Sequence, residues 1–376
     1  MSFKNCISID KLLTKLWNDE NFRMRILAGI ERILNAEAAI FDCDGTIIDT
    51  SGSYELAMRV SIALMIDKLF NIEVRLGKDF EDVLASLRMT GGFNNDSDSA
   101  SALIQTICIF LPSTLDIKLK KWDTVKDVDK YTKPIEGSES YPEYVHEAFK
   151  WLSNELKTKK EYFDLNKVEK LLDVKASSLK THHRLSKIRS MLGYPGNFGE
   201  SFFATLFDEI FLGSEGVEKK YSWKPRYVLY KGTLENEILL ISEESIRRLA
   251  RYLPKGIAIV TGRGRWETEK TLSRVLKYFN MEASIFTADK GLEYEKPRPK
   301  ALIESAKSLG TKKLIYAGNS MEDLLMSQAA CREGLEVGFV AVSNNEDLSR
   351  EFEVRGADAI IEDINQLPSL IENIRV

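Results

Sequence analysis

The chain has 376 residues, 44% hydrophobic and 29% charged, with 53 Lys and Arg against 57 Asp and Glu for a formal net charge of −4. That length exceeds one typical domain and predicts two, and the near-neutral balance gives no electrostatic basis for binding nucleic acid. No apolar run approaches the ~18 residues of a membrane span. The four cysteines (Cys6, Cys43, Cys108, Cys331) form no CxxC pair, which suits a reducing compartment better than a disulfide framework or zinc site. The first twenty residues mix apolar and charged side chains and do not read as a secretory signal, so a cytoplasmic location is expected.

Residues 1–35 place Leu12, Leu13, Leu16 and Trp17, then Ile26, Leu27, Ile30, Ile33 and Leu34, at helical spacing. This predicts an N-terminal helical segment that packs on a core or on a partner subunit, leaving a homo-oligomer open. Residues 38–41, AAIF, then read as a short buried strand with Asp42 and Asp44 at its carboxyl end and Gly45-Thr46 turning away from it. Ligands of open α/β sheets bind at that end. Two carboxylates at period-2 spacing point the same way, and so close a like-charged pair is costly unless a cation or a phosphoryl-transfer role compensates it.

Asp42 and Thr261 are too far apart in sequence for one βαβ crossover, so an insertion is predicted from about residue 53 to about residue 230. It begins after the polar turn at 49–53 with a helical pattern over 54–70, and amphipathic stretches at 144–156, 168–185 and 202–211 make it α-helical. Within it, Arg88 and Gly91 belong to RMTGGFNND and Gly193 to Glu200 form a second Gly-rich loop. Consecutive glycines let backbone approach a ligand closely, which makes Arg88 and Gly91 candidate substrate contacts.

Beyond the insertion, strands alternate with helices. Strands are predicted at 257–260, 284–287, 314–317, 337–342 and 359–361, and helices at 266–278, 299–309 and 323–333. The fold class is therefore α/β, a Rossmann-like parallel sheet covered by helices. The domains are 36–52 with 231–376 as the sheet-bearing core, and 53–230 as the helical insertion. Three apolar runs end in polar residues: Asp42 and Asp44 after the first, Thr261-Gly262 after GIAIV, and Gly318-Asn319-Ser320 with Glu322 and Asp323 after LIYA. Lys296-Pro297 lies between the last two. Arg263 and Arg265, just past Thr261, are placed where they could contact a substrate, but read first as exposed cations at a helix start.

The ordered set Asp42-x-Asp44-Gly45-Thr46, Thr261, Lys296-Pro297 and Gly318-Asn319-Ser320-x-x-Asp323 resembles the four motifs of the haloacid dehalogenase-like (HAD) hydrolase superfamily. The resemblance covers about half of the chain, and the insertion resembles that superfamily's helical cap between the first and second motifs. It implies an Mg²⁺-dependent phosphatase of a small phosphorylated metabolite, similar to phosphoglycolate phosphatase and β-phosphoglucomutase relatives. Asp42 would be the nucleophile, Asp44 the acid/base, and Thr261, Gly262 and Lys296 would hold the phosphoryl group. Asp42, Asp44, Asn319 and Asp323 would form the metal set, with Glu322 a further candidate beside Asn319 and Asp323 for the fourth-motif ligand. Asn319 departs from the family's Gly-Asp-Ser-x-x-Asp pattern, since an amide oxygen ligates Mg²⁺ without contributing charge. A phosphomutase of the same superfamily is the first rival reading. A non-catalytic binding protein on the same scaffold is the second, favoured only by Asn319.

Overall fold

The structure is a computed structural model that describes residues 20–375 apart from 75, 94, 113, 119–120, 133–142 and 160–161. The expectations for Leu12, Leu13, Leu16, Trp17 and Asn94 lie outside these residues. The chain divides into two units, Met1–Thr50 with Ile238–Val376, and Ser51–Glu237.

The first unit is built on six parallel strands, β1 (Ala38–Phe41), β4 (Gly256–Thr261), β5 (Ile285–Phe286), β6 (Lys313–Gly318), β7 (Glu336–Val342) and β8 (Ala359–Ile361). A two-stranded antiparallel ribbon of β2 (Ile48–Asp49) and β3 (Ile238–Leu239) lies where the chain leaves this unit and returns to it. The sheet order is β5-β4-β1-β6-β7-β8. The strands are near-continuous apolar runs because both faces are covered. Ala39 and Phe41 join the cluster on one face, with Ile33, Leu249 and Leu367. Ala38 and Ile40 join the other, with Leu302, Leu324 and Phe352. Helix Glu20–Leu34 contributes Ile33, which packs directly on Gly338 of β7.

From β1 the chain builds outward to β4 and β5 on one side, then crosses back to β6, β7 and β8 on the other. Ile40 is in register with Ala258 of β4 and with Tyr316 of β6. The crevice beyond the carboxyl end of β1 is therefore the topological switch point, where an open α/β sheet binds its ligands.

Most predicted helix limits differ by a residue or two, but the helix expected over 266–278 stops early. It runs from Arg265 to Thr271 and gives way to a 3-10 turn at Leu276–Tyr278. The hydroxyls of Thr268 and Thr271 bond the carbonyls four residues back, at Gly264 and Glu267. Such back-bonding weakens the helical ladder.

The second unit is α-helical, with helices Tyr54–Phe70, Lys78–Met89, Asp96–Phe110, Asp129–Thr132, Glu143–Lys159, Leu165–Ser178, His182–Leu192 and Phe202–Tyr221, the last broken at Gly213. Asp96–Phe110 is buried along most of its length and packs against five of the others, which makes it the centre of the unit. Asn95, Asp164 and Ser201 cap their helices by accepting backbone N–H bonds. Among the described residues, no helix is long and apolar enough to cross a membrane.

Candidate active site

The backbone N–H of Asp42 donates to Ala317 O at 2.9 Å, which extends the β1–β6 ladder by one residue. The Cys43 carbonyl then accepts N–H bonds from Thr46, Ile47 and Ile48, closing a tight turn with Gly45 at φ +70°. A side chain at Gly45 would be strained in that backbone region, and its Cβ would stand 2.1 Å from Asn319 Nδ2. Asn319 therefore packs against the loop that carries the two aspartates. Cys43 is fully buried among core residues, a small space-filling group between them.

The Asp42 carboxylate is 6% exposed, and Lys296 Nζ stands 2.7 Å from its Oδ1. The same ammonium is 2.6 Å from Asp323 Oδ1. Asp323 is completely buried; its Oδ1 also accepts the Tyr316 hydroxyl at 2.7 Å, and its Oδ2 accepts the Ser320 N–H at 3.0 Å and hydroxyl at 2.7 Å. The Ser320 hydroxyl accepts from the Asp323 N–H in return, completing a capping box at the start of helix Met321–Arg332. These four partners use the four lone-pair sites of the carboxylate. With its oxygens so occupied, Asp323 is the anchor of Lys296 and of the helix start, in place of the metal ligand expected at this position. Gly318 makes the approach feasible, since a Cβ there would meet Asp323 Cγ at 2.5 Å.

Burial dominates the electrostatics. It pushes the Asp42 carboxyl above its ordinary value, against the pull of Lys296, while the charges of Asp323 and Asp44 add to the rise. Burial also works against the Lys296 ammonium and the Asp323 carboxylate. There the mutual attraction prevails, so Lys296 stays above, and Asp323 below, its usual value. The triad is therefore a lysine clamped between two carboxylates, one sealed and one at the crevice.

Thr261 ends β4 and is fully buried, its Oγ1 accepting the Arg263 N–H at 3.3 Å. At Gly262 a Cβ would meet nothing within 4 Å, so the backbone there is open to an approaching group. Arg263 corrects the expectation of an exposed cation: it is 2% exposed, with Nη1 2.8 Å from Asp44 Oδ1. A buried guanidinium needs a counter-charge, and Asp44 supplies one. Arg265 does behave as a solvated helix-start residue and pairs with Glu269 at 2.6 Å. Tyr316 is a member of the site that the sequence reading missed, and Arg263 is one that it weighed as a substrate contact but set below a solvated cation. The capping signature Ser320-x-x-Asp323 was visible in the sequence.

Arg88 and Gly91 belong to the second unit. Arg88 is ion-paired there with Glu55 at 2.9 Å and Asp96 at 3.2 Å. Gly91 follows helix Lys78–Met89 at φ +82°, and the neighbouring Gly92 lies so close to Phe163 that a Cβ would come within 2.0 Å of its carbonyl oxygen. In the second Gly-rich loop, Phe198 stacks on Tyr221 with ring centroids 3.8 Å apart, and Gly199 lies over Trp223.

No protein-family model and no curated protein matches the chain. Solved structures do. An X-ray structure determined as a Northeast Structural Genomics Consortium target matches with a TM-score of 0.62 at 16% identity, covering 90% of this chain and 99% of that one. Phosphatase Tt82 from Thermococcus thioreducens matches with a TM-score of 0.50 at 18% identity, covering 84% of this chain and 99% of that one. The chain shares its fold with these two structures. At such identities the likeness is one of architecture. Asp42, Asp44, Thr261, Lys296, Asn319 and Asp323 belong to one unit, at or just beyond the carboxyl ends of β1, β4 and β6 and in the loop ahead of helix Lys300–Leu309.

Among the described residues no cluster of three or more His, Cys, Asp or Glu is placed to hold a metal ion. The Asp42–Gly45 loop carries the Asp42 carboxylate, and the Asn319 side-chain amide packs against Gly45 with its nitrogen nearer than its oxygen. A carboxylate and an amide oxygen fit Mg²⁺ in donor type, with a single carboxylate as the charge.

Proposed function

We propose that this protein is a phosphatase that hydrolyses a small phosphorylated metabolite, of the phosphoglycolate or sugar-phosphate kind, through an aspartyl-phosphate on Asp42. The observation that carries the reading is the Asp42 carboxylate at the switch point of the sheet, 2.7 Å from a lysine that is itself anchored on buried Asp323. A lysine held in this way is a fixed positive charge where a phosphoryl group would meet the nucleophile. The structural match to Phosphatase Tt82 supports the phosphatase branch.

In the first step an Asp42 oxygen attacks phosphorus and the ester P–O bond breaks, with Asp44 giving its proton to the departing oxygen. In the second, water attacks the aspartyl-phosphate, Asp44 takes the water's proton, and the bond to Asp42 breaks to release inorganic phosphate. Lys296, the Thr261 hydroxyl and the open backbone at Gly262 hold the phosphoryl oxygens. Mg²⁺ would be held by Asp42, the Asp44 carbonyl and Asn319, and when bound it neutralises phosphate charge. Asp323 assists indirectly, by fixing Lys296. The second unit acts as the cap that selects the substrate, with Arg88 and Gly91 as its proposed contacts. Arg88 would exchange Glu55 or Asp96 for a substrate anion.

Asp42→Asn tests the reading with p-nitrophenyl phosphate. Turnover should disappear while the fold persists, and a phosphoryl adduct at position 42 should be found by mass spectrometry only in the acid-quenched wild type. Full turnover by the variant would remove Asp42 as nucleophile. Release of inorganic phosphate from sugar phosphates, rather than its transfer within them, separates a hydrolase from a mutase.

A further inference from the structure

Arg263 is a buried cation that the two steps above do not use. Its side chain is 1% exposed, whereas that of its partner Asp44 is 39% exposed. One Asp44 oxygen is therefore held from within the protein while the rest of the carboxylate faces outward. The Arg263 backbone N–H meanwhile donates to Thr261 Oγ1, so a lone pair of that hydroxyl is occupied and its proton is left to point elsewhere. A single residue thus touches both the proposed proton donor and a proposed phosphoryl-binding group. Burying a guanidinium at this strand end is more expensive than burying a leucine of similar bulk. Packing alone does not account for it.

We infer that Arg263 is a positioning residue for Asp44: its guanidinium fixes the carboxylate in the orientation from which the outer oxygen reaches the leaving group. The inference rests on the phosphatase reading and deepens it. Proton donation matters according to what departs. An alkoxide needs a proton as the P–O bond breaks, whereas p-nitrophenolate is stable enough to leave without one. In the ester-cleaving step, a residue that acts by aiming Asp44 should therefore matter for alkyl phosphates and far less for aryl ones, whereas its effect on the later hydrolysis is shared by both. A residue that only supports the fold should affect both alike.

The experiment measures kcat and KM of wild type, Arg263→Met, Arg263→Lys, Asp44→Asn and the Asp44→Asn, Arg263→Met double variant on glycerol phosphate and p-nitrophenyl phosphate. Arg263→Met should lower the alkyl-to-aryl ratio of kcat/KM, which reports only the steps through cleavage of the ester, by at least about tenfold, within the ~10²–10⁴-fold worth of acid–base catalysis. Arg263→Lys should recover part of that ratio. In the Asp44→Asn background Arg263→Met should have no further effect on it, since a residue acting through Asp44 has nothing left to aim. A parallel fall of kcat/KM on both substrates, or full additivity in the double variant, would overturn the inference while leaving Asp42 in place. If Arg263→Met does not fold, as judged by circular dichroism, Arg263→Lys and Arg263→Gln carry the same comparison. Absence of phosphate release by the wild type from either substrate would remove the phosphatase reading and this inference with it.

Discussion

Lys296→Met is the perturbation with the largest expected effect. In the folded protein the Lys296 ammonium lies 2.7 Å from Asp42 and 2.6 Å from Asp323, and both carboxylates are buried. Removing one partner of a buried pair costs about 3–5 kcal/mol, because an uncompensated charge is left inside. Here two carboxylates are left facing one gap. For a unit of this size that corresponds to a fall in Tm of roughly 6–20 °C, at ~2–4 °C per kcal/mol. The loss should also depend on pH. Burial already pushes Asp42 up, and without Lys296 nothing opposes it. A carboxyl whose folded value lies above its unfolded value binds a proton in the folded state that the unfolded chain has released. The variant should therefore be most stable below the ordinary carboxylate value and lose stability as pH rises towards the raised one. Calorimetry of wild type, Lys296→Met, Asp323→Asn and the double variant across pH 4–8 measures both effects. The double variant should be less destabilised than the two single losses combined, by an interaction energy of about 1–3 kcal/mol. Additive losses with no pH dependence would refute the clamp.

Gly45→Ala places a methyl 2.1 Å from the Asn319 amide at φ +70°, and should cost about 1–2 kcal/mol from the backbone strain alone; turnover should fall with it, and an unchanged Tm would contradict the close approach. Asn319→Asp adds a carboxylate to the oxygen set beside Gly45, and should lower the Mg²⁺ concentration that raises Tm half-maximally without substrate; no change would remove Asn319 as a donor. In the second unit, burial pushes the Asp67 carboxyl up, but hydrogen bonds from Tyr131 and Lys130 outweigh it and hold it below its ordinary value. Its stabilisation is complete above the ordinary value and drains away as pH falls through the lowered one, so Tyr131→Phe should weaken the acid-side loss of stability, and an identical profile would show that Tyr131 does not set it.

The parallel sheet was legible because burial on both faces leaves an unusual trace, short continuous apolar runs such as AAIF and LIYA with Asp or Gly immediately after. The strand positions follow from that, and so does the carboxyl-end placement of the polar residues. Helix ends were less legible. Thr268 and Thr271 shorten their helix through hydroxyl bonds to the preceding turn, a competition that apolar spacing does not record. The Gly-rich segments of the second unit suggested ligand contact on composition alone. Gly92 and Gly199 turn out to admit Phe163 and Trp223 of the same unit, and only the tertiary packing could identify those neighbours.

Arg263 and Tyr316 failed to stand out for a shared reason. Each occurs where its residue type has an ordinary local explanation: a cation before a helix, an aromatic within a buried strand. What makes each part of the site is a partner supplied by the fold. Tyr316 needs the turn after β6 to bring Asp323 back over its hydroxyl, and Arg263 needs β1 and β4 to pair so that Asp44 comes within 2.8 Å. Both interactions bear on residues the sequence did single out, Tyr316 on Asp323 and Arg263 on Asp44. Reactive groups thus announce themselves by type and spacing, whereas the groups that aim them do not, because aiming is a property of pairs. On that argument the substitutions that separate turnover of alkyl and aryl phosphates should fall at Arg263, a position without a chemical motif of its own, while those at Lys296 and Asp323 remove stability together with activity.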